Sequence, residues 1–186
     1  MKLEKKCLEI CVVIVQNGES KLFLLMLFLL RIGQGPRYGM KMSFIGDRSN
    51  LPDSMKEMLR LAEESTKDNT GLHFVAALNY GGRYDITQAT KKIASKVKDG
   101  VIQLEDINDK LIDQELETNK IIEYPNPDLL IRTSGELRIS NYMLWQLAYS
   151  ELYFVDKLFP QLDEDDFVAA LRSFQQRQRH YGGHKI

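Results

Sequence analysis

Residues 127–154 read PDLLIRTSGELRISNYMLWQLAYSELYF, and the succession of patterns in that stretch decides the fold. Pro125-Asn126-Pro127 breaks the chain and launches residues 128–132 (DLLIR), an apolar run of the kind that forms strands buried on both faces. Thr133-Ser134-Gly135 follows as a turn with hydroxyls and free backbone N–H groups. Residues 141–149 read as a helix and residues 152–155 as a second short strand. Strand, helix and strand in close succession are the unit of a parallel sheet with helices packed on it.

The same rhythm extends outward. Residues 42–45 read as a strand running into Gly46-Asp47, and Pro52 suits the first turn of a helix. Met55, Met58, Leu59 and Ala62 then give that helix one apolar face. Residues 73–80 (HFVAALNY) are strand-like and end at Gly81-Gly82. A second amphipathic helix carries Ile86, Ala89, Ile93 and Val97 before Asp99-Gly100 stops it. Residues 104–116 are helical but weakly patterned. The last helix opens with Asp163, Glu164, Asp165 and Asp166, with Phe167, Ala170, Leu171 and Phe174 as its buried stripe. Four acids in a first turn complement the helix dipole more readily than they make a metal site. The expected fold is therefore α/β, a parallel β-sheet flanked by helices.

Residues 1–41 form a divergent segment without a motif, set apart from a domain over residues 42–186. A strand is expected at residues 10–15, but Gln16-Asn17-Gly18-Glu19-Ser20 after it holds no recognisable phosphate loop, and Gly33, Gly35, Pro36 and Gly39 mark a loop. The apolar run at residues 22–30 (LFLLMLFLL) is too short for a spanning helix, which needs about 20 residues. It reads as a buried strand or helix.

Composition narrows the function classes. The chain has 186 residues, one domain at roughly 150 residues per domain. Lys+Arg 25 against Asp+Glu 26 gives a net charge of -1, which argues against an electrostatic nucleic-acid binder. Cys7 and Cys11 cannot staple a secreted scaffold, and two thiols without further ligands seldom bind zinc. His180 and His184 are kept from a helical pair by Gly182-Gly183.

Chemistry concentrates around the end of the DLLIR strand. Arg132 stands at that end and Arg138 six residues on, with Ser140 and Asn141 where the helix begins. Ligands of open α/β sheets bind outside the carboxyl ends of strands, and turn amides and helix N-termini hold anions there. Forked guanidinium donors suit phosphate oxygens. A diphosphate site is one reading; the other is that Arg132 and Arg138 pair with Glu136 or Asp128 and merely hold a loop. No Walker lysine, G-x-G-x-x-G run or G-x-S-x-G elbow is present in the sequence.

This segment closely resembles the signature of the cis-prenyltransferases, the undecaprenyl and dehydrodolichyl diphosphate synthase family, in wording most like its plant-type members. The resemblance continues through Gly46-Asp47-Arg48-Ser49-Asn50-Leu51-Pro52, Asn79-Tyr80-Gly81-Gly82-Arg83-Tyr84-Asp85-Ile86 and the tail from Phe174 to Gly183, about three quarters of the chain. It implies a transferase that adds isopentenyl diphosphate to an allylic diphosphate with cis double bonds, making a polyprenyl diphosphate of the dolichol type or a shorter one. Carried over by position, Arg132, Arg138 and Ser140 would hold the isopentenyl diphosphate, Glu136 would order the arginine loop, and Glu151 would help bind Mg²⁺. Asn79, Gly81, Gly82 and Arg83 match a motif near the substrate; a tight strand-to-helix turn is their other reading. Trp145 reads as core or dimer interface rather than a ligand contact. The resemblance further implies a homodimer, or a heterodimer with a family member, and possible peripheral membrane association. The compartment would be cytoplasmic or endomembrane, with a plastid as a further option.

Two departures shape the expectation. The family's Asp-Gly-Asn-x-Arg-Trp-Ala loop, source of its catalytic carboxylate, has no counterpart in this sequence, so no catalytic residue is identified. The Phe-Ser-x-Glu-Asn-Trp element is missing as well. Where the family carries Arg-x-Gly in its tail, His180-Tyr181-Gly182 stands, with Arg179 one residue earlier. The expectation is an N-terminally incomplete member of the family. The rivals are a non-catalytic subunit of a heteromeric enzyme and a truncated inactive product.

Overall fold

A computed structural model describes residues 9–13 and 39–178, with backbone only for 9–13. The expectations for Cys7, residues 16–20 and 22–30, the loop glycines before Gly39, and Arg179, His180 and His184 lie outside the described residues. The chain divides into two compact units, Met1–Pro125 and Asn126–Ile186.

The first unit is built on a parallel sheet. Strands β1 (Glu9–Val13), β2 (Lys41–Ile45) and β3 (His73–Ala77) lie in the order β1-β3-β2. β3 pairs in parallel register with both neighbours, from Glu9↔His73 to Val13↔Ala77 and from Lys41↔His73 to Ile45↔Ala77. Every residue of β3 is buried, as a central parallel strand requires. Alternate residues Met42, Phe44, Phe74, Ala76 and Leu78 point to one face, because side chains along a strand alternate sides. Leu59 of helix α1 (Asp53–Thr66) packs on them, with Met55 and Ala62 beside it at helical spacing. The outer edge of β2 is not left bare: Met42 N–H donates to Thr66 Oγ1 at 3.0 Å and Phe44 N–H to Glu63 Oε1 at 3.1 Å. Side chains of α1 thus satisfy donors that an uncovered edge would expose.

Helix α2 (Gly82–Lys98) buries Asp85, Ala89 and Ile93 and stops at Asp99, followed by Gly100 at φ +69°. The weakly patterned stretch after it is interrupted. A short 3₁₀ turn (Leu104–Asp106) leads to α3 (Asp109–Glu115), capped by the Asn108 side chain, and then to α4 (Glu117–Ile121). The break falls at Leu116, whose backbone is extended (φ −63°, ψ 150°) and whose side chain is fully buried.

In the second unit, β4 (Leu129–Arg132) and β5 (Glu151–Phe154) form a two-stranded parallel ribbon, Leu129↔Glu151 to Arg132↔Phe154. Two sequence expectations are corrected here. β4 is half-buried along its whole length rather than buried on both faces. Residues 141–149 are a run of turns, not a helix. Ser140 (φ 49°), Asn141 (φ 62°) and Met143 (φ 41°) all take left-handed backbone, which a right-handed helix cannot contain. The last helix, α5 (Glu164–Gln176), begins as expected: Asp163 accepts from Asp166 N–H at 3.0 Å and Asp166 from Asp163 N–H at 3.1 Å, a reciprocal cap. Lys157 Nζ reaches both carboxylates. Ala170 is buried and Leu171 and Phe174 half-buried, but Phe167 is exposed, contrary to its expected place in the stripe. Among the described residues no helix is long and apolar enough to cross a membrane.

Candidate functional site

The carboxyl end of the β4–β5 ribbon is where the arginines lie. Arg132 closes β4, its carbonyl accepting from Val155 N–H at 2.8 Å. The following turn doubles back over β5: Ser134 N–H donates to the Lys157 carbonyl at 2.9 Å and Gly135 N–H to that of Val155 at 3.0 Å. These two amides were expected to be free, and they are not. Their pairing fixes a turn with Ser134 and Gly135 both at positive φ (70° and 65°). The anion-binding argument therefore rests on side chains. Nor does a helix N-terminus stand behind Ser140 and Asn141, since the segment is turns.

The side chains differ sharply. Arg138 pairs with Glu136 through Nη1 and Oε2 and is largely exposed, so half of the loop-holding alternative is realised. Arg132 makes no such pair among the described residues, and its Nε is buried without a hydrogen-bond partner. A buried donor left unmade costs about 1–3 kcal/mol, which a native structure seldom tolerates without reason. An acceptor supplied by a bound anion would remove that cost. Ser140 is exposed on the same turn region, and Trp145 is half-buried.

Glu151 stands elsewhere. It begins β5 opposite Leu129, at the amino end of the ribbon, three residues from the level of Arg132, roughly 10 Å of strand. Its Oε2 accepts from Arg177 Nη1 at 2.6 Å, and Arg177 Nη2 donates to the Leu152 carbonyl at 3.0 Å. Among the described residues no other side chain bonds the Glu151 carboxylate, leaving Oε1 as a hard oxygen donor. No cluster of three or more His, Cys, Asp or Glu is present among the described residues. One carboxylate oxygen fits Mg²⁺ in its usual style, held by one or two carboxylates together with substrate phosphates, and does not fit an all-protein cage.

The remaining candidates belong to the first unit. Asn79, with left-handed backbone (φ 49°), turns the chain out of β3, and Gly81 caps α2. Gly82 is buried and Arg83 exposed. Around them lies a carboxylate pair that sequence reasoning did not single out. Asp85 Oδ2 accepts from Tyr80 Oη at 2.9 Å and Oδ1 from Glu117 N–H at 2.9 Å. Glu117 Oε2 accepts from Gly46 N–H at 3.0 Å, at the carboxyl end of β2. Gly46 has φ +107°, and a Cβ there would lie 2.0 Å from the Leu78 carbonyl oxygen, so only glycine fits. Burial pushes the Glu117 carboxyl up; the Gly46 N–H pulls the other way and the Asp85 carboxylate adds to the rise. Two residues earlier, Glu115 is held low by the Lys96 ammonium, against burial and with help from Lys120. Arg177 and Glu117 escaped notice because their partners lie 26 and 71 positions away, beyond any local pattern.

Comparison with known proteins adds the family context. A family model described as "Putative undecaprenyl diphosphate synthase" matches residues 19–182. A chloroplastic (2Z,6Z)-farnesyl diphosphate synthase from Solanum lycopersicum is 54% identical over 169 residues, 91% of this chain and 59% of that protein. Dehydrodolichyl diphosphate synthase 2 from Arabidopsis thaliana is 54% identical over 145 residues, 78% of this chain and 46% of that protein. Among solved structures, lavandulyl diphosphate synthase from Lavandula x intermedia, in complex with dimethylallyl diphosphate, matches at a TM-score of 0.85 and 36% identity, covering 94% of this chain and 79% of that one. The chain spans between about half and six tenths of the length of the curated relatives it matches first.

Proposed function

Since this chain belongs to the undecaprenyl diphosphate synthase-like prenyltransferases, the cis-prenyltransferases, we propose that it serves the condensation of isopentenyl diphosphate onto an allylic prenyl diphosphate. The product is a prenyl diphosphate with cis double bonds, of the dolichol type or shorter. The observation that carries the reading is the buried, unpartnered Nε of Arg132 at the carboxyl end of β4. Bound diphosphate oxygens would satisfy it, with Arg138 supplying a second fork once it turns from Glu136, and Ser140 a hydroxyl. Glu136 holds Arg138 on the turn in the meantime. Asn79, Gly81, Gly82 and Arg83 are assigned to substrate contact at the start of α2, with Arg83 as the exposed cation of the four.

In the reaction a carbon–carbon bond forms between the two substrates, diphosphate leaves the allylic carbon, and a proton is lost from the isopentenyl unit. The arginines orient the isopentenyl diphosphate and neutralise its charge. Mg²⁺ entering with a diphosphate would be held by Glu151 and would supply charge neutralisation for the departing oxygens. No residue of this chain is assigned as the catalytic carboxylate. The relatives' chloroplastic names support a plastid location, and a homodimer or a heterodimer with a family member completes the reading.

The test is incubation of the chain with labelled isopentenyl diphosphate, farnesyl diphosphate and Mg²⁺. Extractable labelled product that disappears in Arg138→Ala supports the reading. The second reading is a subunit that works only with a family partner. Product above that of an added full-length relative, and none without it, would select that one. No isopentenyl diphosphate binding in either setting overturns both.

A further inference from the structure

Glu151 is held by a guanidinium that is itself anchored. Arg177 follows directly on α5, its N–H closing the helix on the Phe174 carbonyl at 3.1 Å. From there Nη1 donates to Glu151 Oε2 at 2.6 Å while Nη2 donates to the backbone carbonyl of Leu152 at 3.0 Å. The second bond matters for the first. A lysine, or an arginine holding only the carboxylate, could swing with it; a fork tied to the backbone of the next residue cannot. Both partners are largely withdrawn from water, with side chains 33% and 25% exposed. One oxygen is consequently fixed and the other, Oε1, is presented with a defined direction.

We propose that Arg177 is a positioning residue that orients Glu151 toward a divalent cation arriving with a diphosphate. The proposal rests on the Glu151 metal assignment made above. Hydrogen-bond partners of a ligating carboxylate typically govern metal affinity about 10–100-fold. Arg177 acts through Glu151 and contacts neither metal nor substrate.

The experiment is Mn²⁺ binding in the presence of inorganic diphosphate, followed by electron paramagnetic resonance on the full chain. The variants are Arg177→Met, Arg177→Lys, Glu151→Gln and the Glu151→Gln/Arg177→Met double. Arg177→Met and Glu151→Gln are each expected to weaken Mn²⁺ by about tenfold or more. The double variant should be no weaker than Glu151→Gln alone, an equality that mere loosening of α5 would not produce. Arg177→Lys, keeping the charge and losing the fork, should show an intermediate loss; it carries the test if circular dichroism finds Arg177→Met unfolded. Binding by folded Arg177 variants that matches or exceeds the unaltered chain, while Glu151→Gln weakens it, overturns the positioning role and leaves the metal assignment standing. Losses that simply multiply in the double variant overturn it too. If Glu151→Gln binds as tightly as the unaltered chain, the metal assignment falls and takes the proposal with it.

Discussion

A guanidinium with a buried, unpartnered Nε sets the proposed function against stability at a single residue. Replacing Arg132 by methionine removes the unsatisfied donor and keeps most of the side chain's length, so the cost of about 1–3 kcal/mol attached to that donor disappears. Arg132→Met is therefore expected to unfold no earlier than the unaltered chain, and up to about 1 kcal/mol later once lost contacts of the fork are discounted. Isopentenyl diphosphate affinity, read by calorimetry, should fall by tenfold or more, since a charged hydrogen bond is worth about 1.5–3 kcal/mol. A variant that melts early yet binds normally would return Arg132 to the loop-holding role. Arg138 offers no such contrast, being exposed and already paired with Glu136. Sequence alone could name both arginines from their strand-end position, but not tell them apart. The difference is burial, which depends on how the turn at residues 133–135 folds back on β5.

Elements explain which parts of the fold were legible. Strands β2 and β3 could be read because a parallel sheet writes apolar residues into the chain itself, and α1 and α2 because their buried positions recur every three or four residues. The stretch at residues 141–149 carries equally good helical spacing, with Tyr142, Met143, Gln146 and Leu147 buried, yet the backbone at Ser140, Asn141 and Met143 is left-handed. Periodicity reports which side chains turn inward and is silent on φ. The break between α3 and α4 was hidden for a similar reason, and it separates two glutamates of opposite character. Glu115, anchored by Lys96 and Lys120 with its own side chain 9% exposed, has its pKa lowered. Its contribution to stability is present above the unfolded carboxyl pKa and lost as pH falls through the folded value. Glu117 is raised by burial, so the stability it brings is present below the unfolded pKa and lost as pH rises through the folded one. Glu115→Gln should thus destabilise at pH 7 by about 1–2 kcal/mol, after discounting the half-exposed lysines, with the deficit shrinking in acid. Glu117→Gln, which keeps an acceptor for Gly46 N–H, should gain relative to the unaltered chain as pH rises from 4 to 8. Urea midpoints across that range check both. Parallel curves for the two variants would contradict the assignment.

At the scale of the whole molecule the two units are unequally cored. In the first, Met42, Phe44, Ile45, Leu59, the run from Phe74 to Leu78, Ala89, Ile93, Leu116 and Ile122 are all buried. In the second, residues 126–186, the buried apolar side chains among the described residues are Tyr142, Met143, Leu147 and Ala170. A unit of that size with so small a core supplies only about 3–5 kcal/mol at best. It also carries exposed Leu137, Tyr149, Leu158 and Phe159, surface that contributes nothing to its own folding. The chain holds one tryptophan, Trp145, and it lies in this second unit, whereas four of the five α-helices among the described residues, α1 to α4, belong to the first and α5 to the second. Tryptophan fluorescence therefore reports on the second unit, and helical circular dichroism mainly on the first. Tryptophan fluorescence is expected to change at a lower urea concentration than helical circular dichroism, by a clear separation of midpoints rather than a broadening of one. Saturating isopentenyl diphosphate should move the fluorescence midpoint upward, by about 2.7 kcal/mol of added stability at a hundred times its dissociation constant, because the residues proposed to hold it, Arg132, Arg138 and Ser140, sit in the unit expected to unfold first. Coincident transitions without ligand would contradict the weaker core assigned to the second unit. A ligand shift confined to the circular dichroism signal would place the diphosphate on the wrong arginines.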